Sequence, residues 1–267
     1  MINLYKPIKV LYWVIIVILT VILFLIYRSL NFMNFFARLF LVLVIELLLV
    51  GVCGFVCTSI ASKKYNKEVA ILNQNCKVAE FIASQQKHMS KNIPLQTRHF
   101  IMLNLAVGHL YADNPDVAKD IIINIQPNQG NAKNVMTEFS IYTVLSSYHS
   151  RLGNYDLMKY AIDNMELILS REPKEKLRKY FSEIIERHKA VYRLKTGQFQ
   201  GLEQCFINDF EKSGIFLVKV CAEYNLAKLY LSTGRMEEAV KAFEFVKENG
   251  GDTYMAKEAE NFLRNGE

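Results

Sequence analysis

The stretch Tyr224-Asn-Leu-Ala-Lys-Leu-Tyr-Leu-Ser-Thr-Gly-Arg-Met-Glu-Glu-Ala-Val-Lys-Ala-Phe243 decides how the chain is read. Leu226, Ala227 and Tyr230 fall on one side of a first helix, Gly234 supplies a turn, and Ala239 and Phe243 put a small and a large residue on the inner face of a second. The spacing predicts helix, tight turn, helix. One such hairpin cannot bury its apolar face alone, so neighbours of the same kind are expected.

Three earlier stretches repeat the arrangement. Gly197-Gln198-Phe199 is preceded by Ala190 and followed by Phe206. Leu152-Gly153-Asn154-Tyr155 follows Leu145 and precedes Ile162 and Met165. Asp113-Asn114-Pro115 lies between Leu105-Ala106 and Ala118-x3-Ile122, with Asn114 suited to a helix cap and Pro115 to a first helical position. Pro127 and Pro173 fall near the ends of the repeating units, where a breaker is expected. Tyr254 to Leu263 sets Ala256, Ala259 and Phe262 against Lys257, Glu258 and Glu260, the pattern of a terminal capping helix.

The last hairpin resembles a tetratricopeptide repeat, whose pattern is W-x2-L-G-x2-Y, then A-x3-F and P over 34 residues. Leu226-Ala227-x2-Tyr230 and Ala239-x3-Phe243 match it, with Ala227 in the glycine place. Glu223 stands at the tryptophan place and Gly251 at the proline place, so the copy is degenerate. The turn positions 113, 153, 197 and 234 are 40, 44 and 37 residues apart, longer than the family repeat. The resemblance covers residues 96–267, strongest in the last repeat and weakest in the third. It implies an all-α, TPR-like α-solenoid of about four helix pairs, with a concave surface lined mainly by the first helix of each pair. An irregular helical bundle is the alternative.

Placing the repeats by their turns puts Asn104, Ser147, Arg151, Arg187, Lys195, Tyr224, Asn225 and Lys228 on or near that surface. Several are basic or amide-bearing, which suits an acidic or extended protein or peptide partner held through charge-assisted bonds. As ordinary solvent-facing positions they would need no partner.

The other end of the chain has a different character. Ile8 to Tyr27 is an apolar run of about 20 residues, the length that crosses a hydrocarbon core as a helix. A secretory signal would have a shorter apolar core and an A-x-A-like site, which does not follow here. Leu39 to Ile60 is apolar again, broken by Glu46. The connector Arg28 to Arg38, with Phe32, Phe35 and Phe36 suited to a lipid interface, is short enough that two spans must form an antiparallel hairpin. Lys6, Lys9, Lys63, Lys64 and Lys67 flank one side and Arg28 and Arg38 the other, so the positive-inside rule places both termini in the cytoplasm of a two-span cell-membrane protein.

Glu46 is the ionisable residue inside a span. It lies about 10 Å below the outer end of its helix, and Thr20, about 18 Å up the first, reaches a similar depth. A protonated Glu46 bonded to Thr20, or to Glu46 of a second copy, would join helices at about 1 kcal/mol. An ion or proton path is the sharper alternative. Gly51, Gly54 and Thr58 permit close helix approach, which favours packing or homo-oligomerisation through the spans. Cys53 and Cys57 lie one turn apart without further ligands and read as small apolar residues. From Ala61 the composition turns polar, and Lys63 to about Met89 is expected to be helical, with Pro94 marking a boundary.

Hydrophobic residues make up 51% of the chain and charged residues 22%, which fits segregation into an apolar and a polar part. The net charge of +6 lies partly beside the membrane and makes no clustered basic face, so nucleic acid is not an expected partner. Five scattered cysteines fit a reducing compartment rather than a disulfide framework. The five histidines are isolated, and no zinc, phosphate-loop or nucleophile motif occurs. No enzyme activity, cofactor or metal is therefore expected.

The expected organisation is a transmembrane hairpin over 1–62, a juxtamembrane helix or cap over 63–95, and a helical repeat domain over 96–267. The expected role is a membrane-anchored scaffold or adaptor at the cytoplasmic face. The alternative is a structural subunit of a membrane-protein assembly whose main contacts are made by the hairpin.

Overall fold

A computed structural model describes residues 5–29, 34–90, 93–125 and 135–266. Among these residues the chain is all-helical, without a strand. The helices are α1 (Lys6–Ser29), α2 (Phe35–Asn73), α3 (Val78–Met89), α4 (Leu95–Tyr111), α5 (Pro115–Ile123), α6 (Val135–Arg151), α7 (Tyr155–Arg171), α8 (Glu175–Lys195), α9 (Leu202–Lys212), α10 (Phe216–Ser232), α11 (Met236–Asn249) and α12 (Tyr254–Asn265). Phe32 and Pro127, singled out from the sequence, lie outside the described residues, as does the Arg38 side chain. The chain divides into two compact units, Met1–Glu68 with Lys91–Pro94, and Val69–Ser90 with Leu95–Glu267.

In the first unit α1 and α2 are long and apolar enough to cross a membrane. Asn34 opens α2 by accepting the Ala37 N–H at 2.8 Å, which satisfies one of the donors that a helix start leaves unpaired. The Tyr5 hydroxyl donates to Glu68 at 3.0 Å, Thr20 Oγ1 lies 3.3 Å from Glu46, and Gly54 faces the Tyr12 ring. Early residues of α1 thus meet late residues of α2, so the two run antiparallel. Cys57, Ala61 and Tyr65 are buried, whereas Phe40 and Phe55 stand 71% and 74% exposed. Large apolar side chains therefore cover the outside of this unit.

The sequence predicts one helix from Lys63 to Met89, and the structure breaks it after Asn73. Cys76 sits in the left-handed region at φ 52°. Its carbonyl accepts the Asp252 N–H at 3.3 Å, while the Asp252 carboxylate accepts from the N–H groups of Val78 and Ala79. The break is thus held by a residue from the far end of the chain, which local periodicity cannot register.

Within the second unit, the four turns share one geometry. Asp113, Gly153, Gly197 and Gly234 all adopt φ between 67° and 76°. The next N–H donates to the carbonyl five residues back each time: Asn114 to His109, Asn154 to His149, Gln198 to Arg193 and Arg235 to Tyr230, at 2.8–2.9 Å. This is the Schellman closure, which needs a residue tolerant of positive φ. Asp113 fills that place in the first turn without being glycine. The Asn114 side chain makes no capping bond, contrary to its sequence reading, and α5 begins at Pro115.

Three cores link successive pairs. Leu103, Ala106, Ala118 and Val144 join α4, α5 and α6. Phe139 and Phe181 stack at 3.9 Å between ring centroids and join α6 to α8. Leu194, Leu202, Phe206 and Leu226 join α8, α9 and α10. A fourth core packs Val78 and Phe81 of α3 against Val220, Phe243, Val246 and Phe262. This core draws on α3, α10, α11 and α12, so residues near the start of the unit share a core with its C-terminal helices.

Candidate functional site

A cavity of about 330 Å³ lies between α4, α6, α8 and α10, with α12 beside it. Val144, Met158, Ile184, Val191, Phe206 and Val218 give it a largely apolar wall. The polar groups that reach it include Arg151, Arg187, His188, Asp209, Asn225 and the tyrosines 111, 224 and 254. Such a site buries an apolar group and fixes its orientation through a few polar contacts.

One end is an ion cluster. Arg151 Nη1 donates to Glu258 at 2.8 Å, Nη2 pairs with Asp113, and the guanidinium lies 3.8 Å from the Tyr254 ring centroid. Glu258 also pairs with Lys228 at 3.3 Å and accepts from the Tyr224 hydroxyl. Burial alone would raise the Glu258 carboxyl, but the bonds from Tyr224 and Arg151 and the charge of Lys228 outweigh it and hold it below the ordinary range. Lys195 stands beside the cluster. Burial of its ammonium and the nearby Lys228 charge lower its pKa, with Glu258 opposing.

The second charged pair sits across the cavity. Arg187 Nε donates to Asp209 at 3.2 Å. Burial raises the Asp209 carboxyl even against the Arg187 charge, so this pair is less well compensated than Glu258 and its partners. His188 Nδ1 lies 2.9 Å from Ser146 Oγ, and burial, with Arg187 adding, pushes its pKa down to about 4. Tyr111 Oη lies 3.5 Å from Cys221 Sγ, and burial pushes that thiol up to about 11.

The structure brings most of the sequence-marked positions together. Ser147, Arg151, Arg187, Tyr224 and Asn225 line the cavity. Lys228 belongs to the ion cluster and Lys195 stands near it without an ion pair among the described residues. Asn104 lies on α4, away from the lining. Thr20 and Glu46 meet in the first unit, and the Thr20 hydroxyl lies within 3.0 Å of the Ile16 carbonyl as well. The Thr143 and Ser147 hydroxyls turn back onto their own helix, donating to Phe139 and Thr143. Asn225 lines the cavity and makes no side-chain hydrogen bond among the described residues.

Sequence reasoning missed the acids. Glu258 falls on the polar face of a capping helix, and Asp209 carries no motif at all. The signal available was the amphipathic pattern of α12, which orients Ala259 and Phe262 inward but does not reveal that the neighbouring Glu258 meets α6 and α10. Among the described residues no group of three or more histidines, cysteines or carboxylates is placed to hold a metal. Comparison with protein-family models, curated proteins and solved structures gives no match.

Proposed function

We propose that the protein is a membrane-anchored, TPR-like adaptor that holds a protein partner at the cytoplasmic membrane face through this cavity. The observation that carries the reading is the convergence of Arg151, Arg187, Tyr224 and Asn225 on one apolar cavity, with Lys228 in the adjoining ion cluster, in a chain that also has two apolar N-terminal helices. These two helices form the anchor, a hairpin whose outward Phe40 and Phe55 face acyl chains.

The dimensions refine the partner. A cavity of about 330 Å³ is too small for an extended peptide and fits one large side chain or a chain end. An apolar group carrying a carboxylate suits it best. Its acid would replace Asp209 on Arg187, the less compensated pair, and its backbone would meet the Asn225 amide.

A second reading rests on the Thr20–Glu46 contact. It makes the hairpin the main contact surface of a larger membrane assembly and the helical array a brace.

The test is photo-crosslinking from a single position in the full chain in native membranes. A photoreactive residue at Asn225 is expected to capture a discrete protein that the same residue at the exposed Lys241 does not. Capture is expected to disappear in Arg187→Glu/Lys228→Glu with helicity retained. No capture from 225, or equal capture from both positions, contradicts the proposal.

A further inference from the structure

At one end of the α1–α2 pair, five lysines are gathered by the fold. Tyr5 is buried and donates to Glu68, and the Lys64 ammonium lies 4.6 Å from the Tyr5 ring centroid. These contacts fix the start of α1 against α2 near Ala61 and Tyr65, both fully buried. Lys6 and Lys9 from α1 are thereby brought beside Lys63, Lys64 and Lys67 from α2, and all five are exposed. Lys6, Lys9, Lys63 and Lys67 have no ion pair among the described residues. The nearby acid is Glu68, which accepts from Tyr5 and keeps its charge. The five lysines outnumber it, so the fold concentrates positive charge in excess of its own counterions at this end.

We infer that Lys6, Lys9, Lys63, Lys64 and Lys67 form a site for anionic phospholipid headgroups. The inference rests on the reading that α1 and α2 span a bilayer. At roughly 1.5 Å per residue, Lys9 lies about 28 Å along α1 from Arg28, and Lys63 about 38 Å along α2 from Arg38. A hydrocarbon core is about 30 Å thick and a bilayer with its headgroups about 40–45 Å. The ammonium groups therefore emerge within the headgroup layer, with their stems against the apolar boundary. Lipid phosphates held there supply the missing counter-charge. The other end of the pair offers only Arg28 and Arg38, so the preference belongs to one leaflet.

The experiment reconstitutes the full chain into nanodiscs of equimolar phosphatidylglycerol and phosphatidylcholine and counts the lipids retained by native mass spectrometry. Wild type is expected to retain phosphatidylglycerol preferentially. Replacing all five lysines by glutamine is expected to reduce that enrichment at least ~10-fold, since each lysine near a charged surface contributes about fivefold. The five-arginine variant is expected to keep it, and added glycerol phosphate is expected not to compete. Equal retention of the two lipids by a chain that resists carbonate extraction overturns this inference alone. A chain released by carbonate overturns the membrane reading with it. Competition by glycerol phosphate assigns the lysines to a soluble anion and overturns the lipid site.

Discussion

Asp252 caps Val78, 174 residues earlier in the chain. Its second carboxylate oxygen takes the Ala79 N–H at 2.9 Å, and its own N–H donates back to Cys76. A loop after α11 thus provides the N-cap that α3 lacks locally, since Lys77 offers no side-chain acceptor. Gly251 makes the approach feasible, because a Cβ there would stand 2.4 Å from the Cys76 carbonyl oxygen. Asp252→Ala is expected to cost about 1–2 kcal/mol, the usual worth of a lost cap. Gly251→Ala is expected to cost more, from both the clash and the positive φ of 58°. Urea unfolding of the full chain in micelles checks both values.

The buried imidazole of His188 sets an acid limit on stability. Its folded pKa of about 4 lies below the unfolded value of 6.5, so the unfolded chain takes up a proton first as pH falls. Stability from neutral His188 is complete above pH 6.5 and is lost progressively down to about 4. The loss amounts to up to about 3 kcal/mol. His188→Gln, which retains a partner for Ser146, is expected to flatten the Tm-against-pH curve over that window while lowering Tm little at neutral pH.

Arg151 and Glu258 are expected to be energetically coupled. Removing Glu258 leaves Arg151, Lys228 and Lys195 facing one another, and removing Arg151 leaves the exposed Asp113 and the partly buried Glu258 without it. A double-mutant cycle with Arg151→Gln and Glu258→Gln is expected to give a coupling of about 1–3 kcal/mol. That coupling is expected to survive high salt, since the Arg151 side chain is only 22% exposed.

Thiol accessibility offers a check on the packing of both units. Cys205 is exposed, Cys53, Cys57 and Cys76 are buried, and burial pushes the Cys76 and Cys221 thiols up to about 11. At neutral pH iodoacetamide is expected to modify Cys205 rapidly and the other four slowly in the folded chain. All five are expected to react in denaturant.

Much of the all-helical character was legible because it rests on local signals. The apolar runs that become α1 and α2 and the turn residues at 113, 153, 197 and 234 are encoded where they act. Of the cations marked from helical spacing, Arg151 and Arg187 line the candidate cavity and Lys228 pairs with Glu258 beside it. The acids of the site were not legible. Asp113 reads as a turn residue, Glu258 falls on the polar face of a capping helix and Asp209 carries no motif, and each acquires its partner from a separate helix. The Asp252 clasp was hidden for the same reason, because the residues it joins are remote in sequence and neither carries a motif.

The most direct measurement of the central claim compares partner retention by three full-length chains purified from solubilised membranes: wild type, Arg187→Glu/Lys228→Glu and Glu46→Ala. The adaptor account predicts that the cavity variant loses the partner and that Glu46→Ala keeps it. Loss in Glu46→Ala with retention in the cavity variant would contradict it and assign the contact surface to the hairpin.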